Sequence, residues 1–255
     1  MAVNTENGKS PDNVLPFSLA MINDRLAHFH APVEPFDADG PWEHRYTVWV
    51  AIRGPAGASW DAGTLSVCCR PRKKGVDLDL TQLTILRGTT DVAVTRAEIQ
   101  CADDDLSSPC RWNVRSGLFT SEDKIVANTR TEISGNVPDR EANRHDRLTT
   151  SNWSLFHAFA RLHVLNERPS EEDPLEFDML EDLELPKPRQ RLWFQKTFDL
   201  ELGGNSIRLY GWKQIGHGIL PYTYWLDKEG RLLFAVGNLK TYVWNPDAQV
   251  REVAL

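Results

Sequence analysis

Gly216-His217-Gly218 sets one imidazole between two glycines, directly before an aromatic run. A histidine left that open could act as a general acid or base, because its ordinary pKa lies near neutrality. Tyr222 or Tyr224 on the next segment could bring a hydroxyl beside it, which makes His217 the one candidate for catalysis. A tight turn that merely carries a histidine explains the same three residues. The remaining motifs are weaker. His28-Phe29-His30 is the only H-x-H, but it falls at the end of a helical segment with no cysteine or carboxylate at a ligating spacing. Asp103-Asp104-Asp105 lacks the alternating acids, the glycine and the distal glutamate of a calcium loop, so it reads as an acidic loop cap. His157 and His163 stand six apart on a helix, nearly on opposite sides, and cannot chelate from that helix alone. No metal site is predicted. Without a G-x-S-x-G, H-E-x-x-H, Walker A or G-x-G-x-x-G pattern, no cofactor is predicted either.

Tryptophan is the other signal. The chain has nine, and Trp49, Trp60, Trp112, Trp193 and Trp244 are among those spread along its length rather than clustered. Aromatic side chains fill the space between a curved sheet and a helix, which accounts for them as core. They also line apolar ligand pockets. On that second reading Trp153, Trp212, Tyr222, Tyr224 and Trp225 are the candidate ligand-binding residues.

These residues must be positioned by strands. Tyr46–Ile52 is β-branched and aromatic and stops at Gly54-Pro55, and Thr64–Cys68 alternates apolar with polar. Val76, Leu78 and Leu80 alternate with Asp77, Asp79 and Thr81, and Val92–Gln100 follows after Gly88. Segments this close, joined by short turns, form antiparallel meanders. The basic run Arg70–Lys74, ending at Gly75, reads as the loop of one such hairpin. A further strand is predicted over Lys124–Ser134, then a polar loop over Asn136–Asp146. Arg191–Leu200 and Ser206–Trp212 flank Gly203-Gly204-Asn205, a hairpin turn. Leu239–Trp244 ends the series.

Two helices are predicted. Leu15, Leu19, Ile22 and Leu26 recur at three- and four-residue steps, giving a helix over Leu15–Phe29 with Pro16 in its first turn. Pro32, Pro35 and Pro41 then make an extended linker, so residues 1–44 read as an arm ahead of one β domain over 45–255. Inside that domain Thr150-Ser151-Asn152 offers capping oxygens to a helix near 152–165. Trp153, Phe156, Phe159, Ala160 and Val164 trace its apolar face. The predicted fold is mainly β, a curved antiparallel open-barrel sheet wrapped around one or two helices.

Tyr222–Leu226 and Arg231–Val236 are joined by Asp227-Lys228-Glu229-Gly230, with a turn-forming Asp first and Gly last. The whole stretch Leu220–Leu233 resembles a pattern of uncharacterised bacterial half-barrel proteins, in which an aromatic strand meets a D-x-x-G-[RK]-L turn. Their superfamily is similar to the periplasmic lipoprotein carriers. The resemblance covers about the last hundred residues and implies a long curved sheet around one or two helices, with an apolar cavity in some relatives. It carries over no catalytic residue. The chain departs from the carriers in lacking an export signal over Met1–Asp12.

Composition narrows the functions. With 41% hydrophobic and 25% charged residues the chain is globular, and a net charge of −7 argues against nucleic-acid binding. No apolar run is long enough to span a bilayer as a helix. The protein is cytoplasmic if Met1 is the native start and exported if a leader was removed. Four free thiols are the expected state, the alternative being a disulfide that closes the eight-residue loop between Cys101 and Cys110. The reading is a non-catalytic binding or structural protein, with an apolar cavity for a lipid-like or other hydrophobic small molecule. An enzyme using His217, and an interaction module using an exposed sheet edge, are the rivals.

Overall fold

The computed structural model describes residues 14–51, 59–86, 91–120, 122, 124–136, 148–150, 153–164, 168–202, 205–237 and 239–250. The first meander holds β1 (Trp42–Ala51), β2 (Ser59–Pro71), β3 (Val76–Ile85), β4 (Val92–Cys101), β5 (Pro109–Phe119) and β6 (Thr131–Asn136). β7 (Leu148–Thr150) and helix α3 (Ser154–Val164) follow. A second meander holds β8 (Leu175–Glu181), β9 (Leu185–Leu202), β10 (Asn205–Ile215), β11 (Tyr222–Leu226), β12 (Leu232–Gly237) and β13 (Lys240–Trp244). Two short helices, α1 (Phe17–Ala20) and α2 (Asn23–Leu26), precede β1.

All thirteen strands form one sheet in the order β6-β5-β4-β3-β2-β1-β13-β12-β11-β10-β9-β8-β7. The two meanders meet where β13 pairs antiparallel with β1, placing Tyr46 opposite Trp244 and Val48 opposite Tyr242. Pairing is antiparallel from β6 to β8, as the short turns require, and the sheet does not close into a barrel. Among the described strands, only β7 runs parallel to its neighbour, β8. The chain between them must cross over, and α3 lies in that crossover.

The two meanders bury their strands differently. In the first, burial alternates: β3 hides Val76, Leu78 and Leu80 and leaves its acids half out. Its outer face is a ladder of polar pairs, Glu98 with Arg115 at 2.9 Å and Asn113 with Glu132 at 2.9 Å. In the second, β12 is buried at every position, because α3 lies on one side of the sheet and the arm on the other. Inside, Trp153, Leu155, Phe156, Phe159 and Leu162 of α3 join Tyr46, Leu65, Leu80, Trp112, Trp212, Tyr224 and Tyr242 in one cluster. A single helix touching strands from both meanders requires the sheet to curve around it. Outside, Leu19, Ile22, Leu26 and Phe29 cover Trp49, Leu209, Trp225, Leu233 and Phe234.

Several expectations are corrected. The arm's apolar residues are where their spacing places them, but Ile22, at φ −115°, breaks the helix into two four-residue pieces. Asn23, a weak helix former, begins the second. The strand predicted over Lys124–Ser134 begins only at Thr131, because Asn128 turns the chain at φ +61° and Thr129 Oγ1 closes the turn onto Val126 O at 2.7 Å. α3 does not present one apolar face: every residue from Trp153 to Ala160 is buried. All four cysteines are free, so no disulfide closes the Cys101–Cys110 loop. β1 starts at Trp42, so Trp42 and His44 belong to the sheet rather than the linker. Gly54-Pro55, the loop after Asn136, Ser151-Asn152, Gly203-Gly204 and the side chains of Trp60, His163 and Val164 lie outside the described residues.

Candidate functional site

His217 sits in the loop between β10 and β11, where its glycines serve the backbone. Gly218 takes φ +75°, and a Cβ on Gly216 would lie 2.3 Å from Gln190 Oε1. The imidazole is exposed and makes no hydrogen bond or ion pair with any described residue. What the rest of the site uses is its carbonyl. Gln190 Nε2 donates to His217 O at 3.2 Å and to the carbonyls of Lys187 and Pro188 at 3.1 Å each. Gln190 Oε1 accepts from Gln214 Nε2 at 3.1 Å, and Gln214 Oε1 accepts from the Tyr224 hydroxyl at 2.6 Å. Burial, followed by Tyr222 and Tyr242, raises the Tyr224 phenol well above its ordinary pKa, which keeps it a donor. A buried polar chain thus runs from Tyr224 to the His217 loop, every link satisfied, and it pins the loop to the sheet.

The five aromatic candidates divide between the two faces. Trp153, Trp212 and Tyr224 are buried on the inner face, with Tyr222 half-buried and stacked on Tyr224 at 5.7 Å. Phe159 of α3 lies 4.4 Å from Tyr224 and 5.9 Å from Trp212, centroid to centroid, so these rings pack on the helix. The Nε1–H groups of Trp153 and Trp212 find no acceptor among the described residues. Trp225 lies on the outer face, where its Nε1–H donates to Ser18 Oγ of the arm at 3.1 Å. Alternation along β11 alone separates Trp225 from Tyr224.

A second constellation was not anticipated. His44 stacks on Trp42 at 4.3 Å and meets the edge of Trp244 at 4.8 Å. Burial, with the Arg231 charge added, pushes its imidazole from 6.5 down to about 3. His157, on α3, shares a 2.7 Å hydrogen bond through Nδ1 with Ser107 Oγ, and burial with Arg161 pushes it down to about 4. Ser107 holds a left-handed φ of +49° in the Cys101–Pro109 loop but is fully buried, so its hydroxyl is a tether. Arg161 completes the anchor, pairing with Asp103 at 2.9 Å and donating to Asp104 O at 3.1 Å. Asp104 Oδ1 in turn caps the amides of Leu106 and Ser108. The acidic triplet therefore ties α3 to the first meander. Among the described residues no cluster of three or more potential metal ligands occurs.

Arg231 lies against this aromatic group. Its side chain is 5% exposed, 3.6 Å from Asp227, with its guanidinium 5.3 Å from the Phe36 ring and 5.4 Å from the Trp244 ring. It donates to Glu34 O at 2.7 Å, and Glu229 Oε2 accepts from Phe36 N at 2.9 Å. The D-x-x-G turn, closed by Asp227 Oδ1 on the amides of Glu229 and Arg231, therefore grips the linker.

That grip holds the arm over a cleft on the outer face. The cleft is half open to solvent and spans about 950 Å³ between residues Leu26–Glu34, the β9–β10 hairpin and the β11–β12 turn. Ala31, Pro32, Leu202 and Ile207 supply apolar wall, with Leu26, Phe29 and Leu233 buried behind it, while His30, Glu34, Glu201 and Arg208 bring polar groups to it. Arg208 is committed to a bidentate pair with Asp199, both contacts at 2.8 Å. No known protein family, curated protein or solved structure matches the chain. The cleft draws on residues about 200 positions apart, and only the arm's apolar spacing pointed toward it.

Proposed function

We propose that this protein is a non-catalytic binding protein that holds a small hydrophobic molecule, with a polar end, in the cleft beneath its N-terminal arm. The observation that carries this reading is the cleft itself. Its volume falls in the range of small-molecule sites, and it combines apolar wall with a few polar groups, which is how such sites orient a ligand. The inner face supports the choice of the outer one, because α3 already packs there against Tyr46, Trp212 and Tyr224. The resemblance of Leu220–Leu233 to half-barrel proteins akin to lipoprotein carriers points the same way, toward an open sheet that handles an apolar molecule. His217 has no carboxylate or hydroxyl partner among the described residues, so the acid–base alternative gains nothing from its surroundings.

Nile red, a neutral apolar dye, tests the reading. Titration should show saturable binding with a blue-shifted emission. Ala31→Trp, which fills the cleft, and Ile207→Lys, which charges its wall, should each weaken binding about tenfold or more. Circular dichroism and melting should show both variants folded. Binding that is absent, or indifferent to both substitutions, would overturn the proposal.

A further inference from the structure

The arm closes the cleft as a span fixed at its two ends. At one end the Phe29 ring packs 4.6 Å from Phe234. At the other, Glu34 O accepts from Arg231 and Phe36 N donates to Glu229. Between them, among the described residues, no backbone hydrogen bond ties residues 30–33 to the sheet, and Val33 is 96% exposed. Pro32 has no N–H to offer. Between the ends Ala31 packs on the outer cluster, a small apolar contact, so the stretch opens more readily than the strands around it. The sheet side of the far attachment is held without the arm, because Arg231 lies 3.6 Å from Asp227 and its guanidinium 5.4 Å from the Trp244 ring.

We infer that residues 30–36 are a strap, with the Glu229–Phe36 and Arg231–Glu34 hydrogen bonds as its catch, and that a ligand enters and leaves when the catch lets go while Phe29 stays seated. This rests on the binding reading above. Opening breaks two hydrogen bonds to charged side chains, lifts the Phe36 ring off His44 and Arg231, and exposes the cleft without unpairing a strand. The catch then sets the rates of exchange more than the strength of binding, because it is closed both before and after the ligand enters.

Stopped-flow mixing with Nile red separates the two ideas. Glu229→Ala removes the acceptor for Phe36 N and should speed association and dissociation together by about tenfold. Glu229→Gln retains an amide oxygen and should restore rates near those of the unaltered protein. Hydrogen exchange at the Phe36 amide should accelerate in Glu229→Ala alone. Unchanged dye kinetics alongside faster Phe36 exchange would overturn the strap and leave the cleft standing. Failure of the unaltered protein to bind dye would overturn both.

Discussion

Lowering the pH should destabilise the fold through two buried histidines. Above pH 6.5 the imidazoles of His44 and His157 are neutral in both the folded and the unfolded chain, and neither contributes. Below 6.5 the unfolded chain takes up protons that the folded chain refuses, down to about 4 at His157 and about 3 at His44. Stability therefore falls as pH falls through this window. One unit below the unfolded pKa, each histidine costs about 1.4 kcal/mol, so the pair costs about 2.8 kcal/mol at pH 5.5. That is a sizeable part of the 5–15 kcal/mol typical of a folded domain, roughly a fifth to a half. Asp182 and Asp227 work in the opposite sense, since burial raises both, and acid relieves the cost of their charge. Single histidine variants remove that ambiguity. Urea unfolding at pH 7.5 and pH 5.5 should show the loss in the unaltered protein, and His44→Gln or His157→Gln should each remove about half of it. A double variant that lost as much stability on acidification as the parent would refute the reasoning.

Three further outcomes follow from the packing. Phe159→Ala should destabilise by about 3–5 kcal/mol, because the ring is fully buried between α3 and the sheet, and a shift in urea midpoint worth less than about 1 kcal/mol would show that α3 does not fill the inner face. Tyr224→Phe leaves Gln214 Oε1 without its donor and should cost about 1–3 kcal/mol by the same assay, whereas a neutral result would break the polar chain at its first link. His217→Ala should change stability and Nile red binding by no more than about 0.5 kcal/mol, and a larger loss in either would return the imidazole to the site.

The parts of the fold legible in the sequence are those that local pattern encodes. The two-residue rhythm of β3 survives in the structure because one face of the first meander is solvated. The D-x-x-G turn formed as read, since Asp227 closes it with its own side chain. β5 and β8 were missed although Trp112 and Val114, and Leu175, Phe177 and Met179, also alternate. In both, a proline or a run of acids nearby obscured the rhythm. What no local pattern could supply is the pairing of β1 with β13, or which side of the sheet the arm would cover. Those depend on contacts about 200 residues apart. The cleft inherits the same obscurity, whereas the assignment of Trp225 and Tyr224 to opposite faces was available from alternation alone. Placing the two together in one pocket overlooked it.

Native mass spectrometry of protein purified without detergent tests the central claim most directly. The claim is that the cleft under the arm holds a small hydrophobic molecule, and the unaltered protein should then carry an adduct of a few hundred daltons, in keeping with about 950 Å³. The same preparation of Ala31→Trp should carry none, while keeping the charge-state distribution of a folded chain. An unaltered protein without adduct, or an adduct equally abundant on Ala31→Trp, would contradict the account.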